Sequence, residues 1–500
     1  MLYARTLFSM LVSLYTSRVI LNALGVEDFG IYNVVGGLTA MFSLITSSLS
    51  SSVTRFLTFE LGRDDMERLK RIFSTSLVIH VALAGVVFVA AETIGLWFLN
   101  TQMTIPAERL YAANWVFQAT VLSFMVSLTG VPFNASIVSH ERMTAFAYIG
   151  MTDVVLRLFI VLFIAYSGLP FDRLIVYSIL IVAVSISLQG VYTLYCRRNF
   201  DECQFRLSLD KRVWKEMSSF AGWNFIGCTA GLLKDQGVNI LLNLFMGPVI
   251  NAARGIAISV NTAVSTFAGN FMTALNPQII KSYASDDREY MFSLVERGSR
   301  FSFYVLFIFA LPILFETEFI LTIWLKQYPE HTVSFVRLVL ILSMCDILSN
   351  TLITLQNATG KIRNYQLVVG GMLMMNFPLS YVCLKAGCPP ESTLAVALCV
   401  SVCCLMLRLL FLHKMAGLPV LGFLKKVCGN VLMVTVTAAI MPMFFVSLTD
   451  KGENWNHFLL VCAICIMCSL ASVYFLGCTK NERRFIHQKA VTIKERFLCR

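Results

Sequence analysis

Eight basic residues lie within long apolar stretches of the sequence, and four of them, Arg18, Arg55, Lys234 and Arg254, lie in equivalent stretches of the two halves. A basic residue near the centre of a bilayer costs about 2.5–3.5 kcal/mol, so such residues rarely face lipid. Arginine binds phosphate oxygens through two parallel hydrogen bonds, and lysine adds a point charge. The four residues therefore predict a cationic cavity whose ligand carries a phosphate or diphosphate. The alternative interpretation is that Arg55 and Arg254 only extend to the membrane surface.

Other charged residues in the apolar stretches have several interpretations. Asp346 stands alone, and it could bind a coupling proton or cation, or accept a hydrogen bond from a neighbouring helix. Asp153 and Arg157 are one helical turn apart, which predicts an ion pair within one helix. Arg408 lies within reach of a membrane surface and is expected to extend toward it.

The elements that position these residues are long apolar segments. Hydrophobic residues make up 57% of the chain and charged residues 14%, with a mean hydropathy of +0.72. Soluble domains carry roughly 25% charged residues. Segments of about 20 apolar residues can cross a hydrocarbon core as helices, and strand-type alternation is absent. The sequence predicts an all-α polytopic membrane protein with about fourteen spans, at residues 2–24, 30–56, 73–99, 109–139, 143–167, 173–196, 217–246, 250–276, 297–325, 332–358, 364–386, 392–414, 426–448 and 456–477.

Basic residues are concentrated in alternate loops of this pattern. The largest such loop, residues 197–215, is basic, and so is the tail after the last span. The intervening loops carry few basic residues, namely Arg109, Arg173, Lys326, Lys385 and Lys451. Because basic loops remain in the cytoplasm, both termini are predicted to be cytoplasmic. The net charge of +11 is then explained by topology and by attraction to anionic membrane lipids, without nucleic acid.

Short sequence matches recur at nearly the same offset in the two halves of the chain. Asp64-Asp65 recurs as Asp286-Asp287, Asn134-Ala-Ser as Asn357-Ala-Thr, and Leu21-Asn22 as Leu242-Asn243. Duplicated halves in a polytopic protein are typical of transporters whose two bundles enclose a central site. The predicted organisation is two six-helix bundles at 1–200 and 217–414, a basic connector at 201–216, two further helices within 426–477 and a basic tail at 478–500.

The motifs of several enzyme classes are absent from the sequence. It contains no phosphate-binding P-loop, no H-E-x-x-H zinc motif and no nucleophile elbow. The spacing of Cys462, Cys465 and Cys468 is that of a metal motif, but cysteine is also a common apolar residue of membrane helices. We therefore expect no enzymatic activity, no cofactor and no bound metal.

The segment SRVILNALGVEDFGIY at residues 17–32 resembles the first-loop signature of bacterial polysaccharide exporters. These are the Wzx-type oligosaccharide flippases of the MATE-like multidrug/oligosaccharidyl-lipid/polysaccharide superfamily. The span number, the duplicated halves and the basic connector are also similar to that family. The resemblance implies a monomeric transporter in the bacterial cytoplasmic membrane. It would move an undecaprenyl-diphosphate-linked oligosaccharide to the outer leaflet by alternating access, with the polysaccharide assembly machinery as a partner.

The resemblance also assigns roles to the candidate residues. Arg18, Arg55, Lys234 and Arg254 would contact the diphosphate, and the last two helices would form a groove for the lipid tail. Asp346 is the candidate for ion coupling. Only Arg18 lies in the matching segment, and the other residues are assigned by their positions in the helix order.

Two other functions remain open from sequence. A MATE-type drug or cation antiporter would share the fold, but an acid-rich cavity is expected there, whereas bases outnumber acids in these spans. A membrane-embedded glycosyltransferase or polymerase needs a sizeable outer loop or an acidic metal-binding pair. The short outer loops argue against that second alternative.

Overall fold

A computed structural model of the chain describes residues 43–101, 105–167, 171–204, 210–448, 455–484 and 487–488, together with short pieces of 5–32. Within these residues every long regular element is a helix, which confirms the predicted all-α class. Parts of the first predicted span and of the quoted signature segment, and most of the tail, lie outside the described residues.

Thirteen long helices are labelled here in chain order. They are α1 (Ser43–Arg63), α2 (Met66–Thr101), α3 (Ala107–Ser139), α4 (Met143–Tyr166), α5 (Arg173–Asn199), α6 (Lys211–Met246), α7 (Pro248–Ala284), α8 (Arg288–Phe315), α9 (Thr332–Thr359), α10 (Arg363–Lys385), α11 (Ser392–Ala416), α12 (Val420–Leu448) and α13 (Trp455–Gly477). A short helix, Thr317–Leu325, follows α8.

Ten of the labelled helices, α2–α5 and α8–α13, are long and apolar enough to cross a membrane. All thirteen overlap predicted spans from the second to the fourteenth, while the total of fourteen stays a prediction. The predicted span at 297–325 is divided, because a short helix, Thr317–Leu325, follows α8, which begins at Arg288 and ends at Phe315. Its first turn is polar, so hydropathy alone placed the start too late.

The chain divides into two compact units. The first contains residues 1–229 and 276–287, and the second contains 230–275 and 288–500. Helices α6 and α7 each contribute residues to both units. The bundle boundaries expected from the duplicated halves stay a prediction.

The duplicated acidic dipeptides adopt the same local structure. Asp64 and Asp286 both have left-handed backbones, with φ of 57° and 58°. In each turn the following aspartate donates its N–H to a carbonyl five residues earlier, Asp65 to Glu60 and Asp287 to Ser282. Aspartate tolerates the left-handed region better than most residues. The repeat therefore encodes two equivalent turns between consecutive helices.

Within the first unit, Gly62 allows α1 to approach the last turn of α7 closely. A Cβ atom at Gly62 would lie 2.9 Å from the Cα and carbonyl oxygen of Lys281 and from the Cβ of Ala284. The same turn of α7 forms an ion pair, in which Lys281 Nζ lies 2.7 Å from Glu141 Oε1. The turn after α3, which contains Glu141, and the end of α1 thus both pack on this segment.

We predict that Gly62→Ala destabilises the protein by about 1–3 kcal/mol, because the clashing atoms belong to a helix backbone and cannot rotate away. Thermal unfolding of the purified protein measures the change. Gly85→Ala in α2 is the matched control, since no atom lies within 4 Å of its Cβ position. That substitution should be neutral or stabilising by up to about 1 kcal/mol. Equal behaviour of the two variants would contradict the close approach at Gly62.

Candidate functional site

The serine-rich part of α1 forms a close helix contact in the first unit. Ser48 Oγ donates to the carbonyl oxygen of Ala221 at 2.8 Å, and Ser52 Oγ donates to that of Met217 at 3.4 Å. Both acceptors belong to the first half of α6. Small side chains permit this approach, and their hydroxyls bond across the interface.

Arg55 lies on the same face of α1, one turn after Ser52. Its guanidinium carbon is 4.6 Å from the ring centre of Phe56, 4.7 Å from that of Phe59 and 5.7 Å from that of Phe220. Such ring faces attract a cation. Only 9% of the residue is exposed, so Arg55 lies inside the first unit and does not extend to its surface.

The second unit brings Lys234 and Asp346 together. Lys234 Nζ lies 3.2 Å from Asp346 Oδ2, and Ser401 Oγ donates to the other carboxylate oxygen. The lysine side chain is buried, whereas 43% of the aspartate side chain is exposed. The residue predicted to bind an anion is thus paired with the residue predicted to couple an ion. Their separation in sequence concealed this contact.

Two helix interruptions lie at this pair. Helix α9 is interrupted between Ile347 and Asn350, directly after Asp346. Helix α10 is interrupted at Met375, and the next residue, Asn376, donates from Nδ2 to the carbonyl oxygen of Lys234 at 3.3 Å. The second interruption has a local cause, because Pro378 has no N–H to bond the carbonyl of Met374. Discontinuous helices commonly line the binding sites of transporters.

Arg254 is a buried cation that forms no contact ion pair among the described residues. It is 4% exposed, and its Nε and Nη1 have no hydrogen-bond partner within the described part of the chain. Asp235 interacts with it electrostatically without forming a contact ion pair. A buried guanidinium is stable only when its charge and its donors are satisfied. The side chain therefore lies inside the second unit, and its binding role stays a prediction.

The expectation for Arg408 is wrong. This residue is buried, with Nε donating to Tyr365 Oη and Nη1 donating to Ser349 Oγ, both at 3.0 Å. Its partners come from α10 and from the interruption of α9, so α11 alone gave no sign of them. The ion pair within α4 is confirmed, with Arg157 Nε 2.7 Å from Asp153 Oδ1.

The structure leaves one predicted site residue untested, since Arg18 lies outside the described residues. Arg55 belongs to the first unit, and Lys234, Arg254 and Asp346 belong to the second. Among the residues that the structure describes, no cluster of three or more histidine, cysteine or acidic side chains could hold a metal ion. Binding roles for the four cations stay predictions.

Comparison with known proteins places the chain in a family. The family described as "Polysaccharide biosynthesis protein" matches residues 1–286, more than half of the sequence. The chain belongs to this polysaccharide biosynthesis family. Similarity also extends to the uncharacterized membrane protein EpsK of Bacillus subtilis (strain 168), with 23% identity over 303 residues. That match covers 59% of this chain and 58% of EpsK, so the chain spans less than two thirds of this relative's length.

Solved structures show which fold the family member has. An outward-facing multidrug resistance MATE family transporter of the MOP superfamily has a TM-score of 0.70 at 11% identity, covering 83% of this chain and 95% of that one. A MOP superfamily transporter from Pyrococcus furiosus gives 0.68 at 10% identity, with 83% and 95% coverage. The family member therefore has the MATE transporter fold. The fold and the ten long apolar helices together support a multi-pass membrane protein.

We predict that the pair of Lys234 and Asp346 is energetically coupled. Asp346→Asn should destabilise the protein by about 1–3 kcal/mol, because the buried ammonium loses its carboxylate. In the double variant with Lys234→Met, the loss of stability should be smaller than the sum of the two single losses by about 1 kcal/mol or more. Thermal unfolding of the four proteins measures this difference. The matched control is the exposed pair Glu67→Gln and Lys70→Met near the start of α2, before the predicted span, for which coupling should stay below about 0.5 kcal/mol. Additive effects at Lys234 and Asp346 would show that their contact does not stabilise the fold.

Proposed function

We propose that this transporter flips an undecaprenyl-diphosphate-linked oligosaccharide from the cytoplasmic to the outer leaflet of the bacterial cytoplasmic membrane, with both termini in the cytoplasm. The observation that carries the proposal is Arg254, a buried guanidinium whose Nε and Nη1 have no hydrogen-bond partner among the described residues. Membership of the polysaccharide biosynthesis family supports a saccharide cargo. The negative group common to lipid-linked saccharides is the phosphate that joins sugar to lipid, and arginine suits its oxygens.

Lys234 would be a second cation, which could exchange its carboxylate partner for the diphosphate of the cargo. Its ammonium is held by Asp346, and that carboxylate is partly exposed and is held in turn by Ser401. An arriving diphosphate could replace the carboxylate as the partner of Lys234 without leaving the ammonium unpaired. Asp346 would then accept a proton or cation, which makes it the coupling candidate.

Arg55 and Arg18 complete the proposed cation set. Three aromatic rings hold the guanidinium of Arg55 at a defined position, so little conformational entropy would be lost when it binds a phosphate. Arg18 lies in the signature segment that resembles the flippases. A lysine at position 18 should restore activity only partly, because it cannot make the bidentate contact.

The test of Arg254 is flipping by the purified protein in liposomes. Arg254→Gln should lower the flipping rate of a lipid-diphosphate-linked sugar at least tenfold at unchanged protein abundance, because a charge-assisted contact to phosphate is lost. Arg157→Gln is the matched control, since this arginine is exposed and paired within its own helix. It should flip at nearly the normal rate. The proposal fails if the two variants are equally active.

The energy source provides a separate prediction. An inside-negative potential favours outward movement of an anion by about 2.3 kcal/mol per charge per 100 mV. Flipping should therefore respond to an imposed potential and should not need ATP, since the sequence has no nucleotide-binding motif of the P-loop type. ATP-dependent flipping that ignores the potential would contradict this prediction.

The role of Asp346 in coupling is tested with the same liposomes. If Asp346→Asn leaves both the potential response and the pH response of flipping unchanged, coupling does not involve Asp346.

A drug or cation antiporter is the second candidate. The observation in its favour is the exposed carboxylate of Asp346, combined with a fold shared with multidrug transporters. Uptake of a fluorescent organic cation into the same liposomes separates the two functions. Cation uptake that is lost in Asp346→Asn and retained in Arg254→Gln would favour the antiporter.

A further inference from the structure

A concave apolar groove opens between α2 and α6, entirely within the first unit. Its volume is about 510 Å³, and its walls include Leu83 and Val86 of α2 and Trp214, Gly222 and Phe225 of α6. The volume lies in the range of pockets that hold small organic ligands. The groove is thus a defined apolar cavity of the first unit.

The α6 wall continues into a cationic end. Lys211 and Lys215 are exposed and lie one helical turn before Trp214 and Ser218, at the spacings of three and four residues that place side chains on one face. Arg71 of α2 is exposed and lies two turns before Ile79, which also lines the groove. Three basic side chains therefore gather at the same end of the groove.

The acidic residue near this end is committed to the helix. Asp210 Oδ1 accepts hydrogen bonds from the backbone N–H groups of Val213 and Arg212, and these bonds lower the pKa of Asp210. Its own N–H donates to Thr75 Oγ1 at 3.3 Å, which joins the start of α6 to α2. Asp210 thus serves as a cap and a link, and it interacts electrostatically with Arg71. Glu216, the next acid of α6, pairs with Arg68 and Arg212, so Lys211 and Lys215 form no ion pair among the described residues.

We propose that the groove is a binding site for one acyl chain of an anionic membrane phospholipid, whose headgroup phosphate contacts Lys211, Lys215 and Arg71. A tryptophan at the boundary between a cationic and an apolar region is typical of the membrane interface. Charge complementarity selects an anionic headgroup over a zwitterionic one. Ser48 and Leu49 of α1, the helix that carries Arg55, also line the groove. The inference does not depend on the proposed function, and the test below separates a phospholipid from the carrier lipid.

Glycine at position 222 offers a substitution that fills the groove. No atom lies within 4 Å of a Cβ placed there, so Gly222→Leu would project into the groove without striking the protein. Gly85→Leu is the matched control, because Gly85 is equally open and does not line the groove. Val86→Trp fills the groove from the opposite wall, which provides a second test if Gly222→Leu fails to fold.

Native mass spectrometry of the full-length protein with phosphatidylglycerol and phosphatidylcholine of matched chains tests the site. We expect phosphatidylglycerol to be retained preferentially, with loss in Gly222→Leu and Val86→Trp and normal retention in Gly85→Leu. Lys211→Gln with Lys215→Gln should lower the preference by about fivefold for each cation removed. Equal retention of the two lipids, or normal retention in both filled variants, would overturn the proposal. Displacement of phosphatidylglycerol by undecaprenyl phosphate would also overturn it, because the groove would then hold the carrier lipid.

Discussion

A charge inside a membrane protein must be compensated within the protein, because the hydrocarbon around it offers no hydrogen bonds. The second unit satisfies this constraint in several ways. Lys234 is paired with Asp346, Arg408 donates to two hydroxyl groups, and Arg300 donates to Glu482 and to the carbonyl oxygen of Gly477. Arg254 is the exception, since two of its nitrogens lack a partner among the described residues. Its position is explained if the compensating anion arrives with the cargo.

The interruptions of α9 and α10 follow from the same constraint. A continuous helix uses its backbone polar groups internally, whereas an interrupted helix can present them, and short side chains near them, to a binding site. Ser349 at the first interruption accepts from Arg408, and Asn376 at the second donates to the backbone of Lys234. The interruption of α10 therefore helps to position Lys234, on which the proposed function depends, and that of α9 holds Arg408.

The sequence predicted the helical class and most helix positions, because hydropathy is a local property. The turns at Asp64 and Asp286 have the same backbone conformation, as the duplicated dipeptides suggested. The pairing of Lys234 with Asp346 and the environment of Arg408 were not predictable, since their partners are more than forty residues away in the chain. Helix-by-helix reasoning treated each of these charges as solitary.

Direct binding of the carrier lipid tests the central claim that the buried cations recognise a diphosphate. The measurement compares the affinity of the purified protein for undecaprenyl diphosphate and undecaprenyl monophosphate, in the unaltered chain and in Arg254→Gln. The account predicts preference for the diphosphate by about tenfold or more, since an additional charge-assisted contact contributes roughly 1.5–3 kcal/mol, and loss of that preference in the variant. Equal affinity for the two lipids, or an unchanged preference in Arg254→Gln, would contradict it.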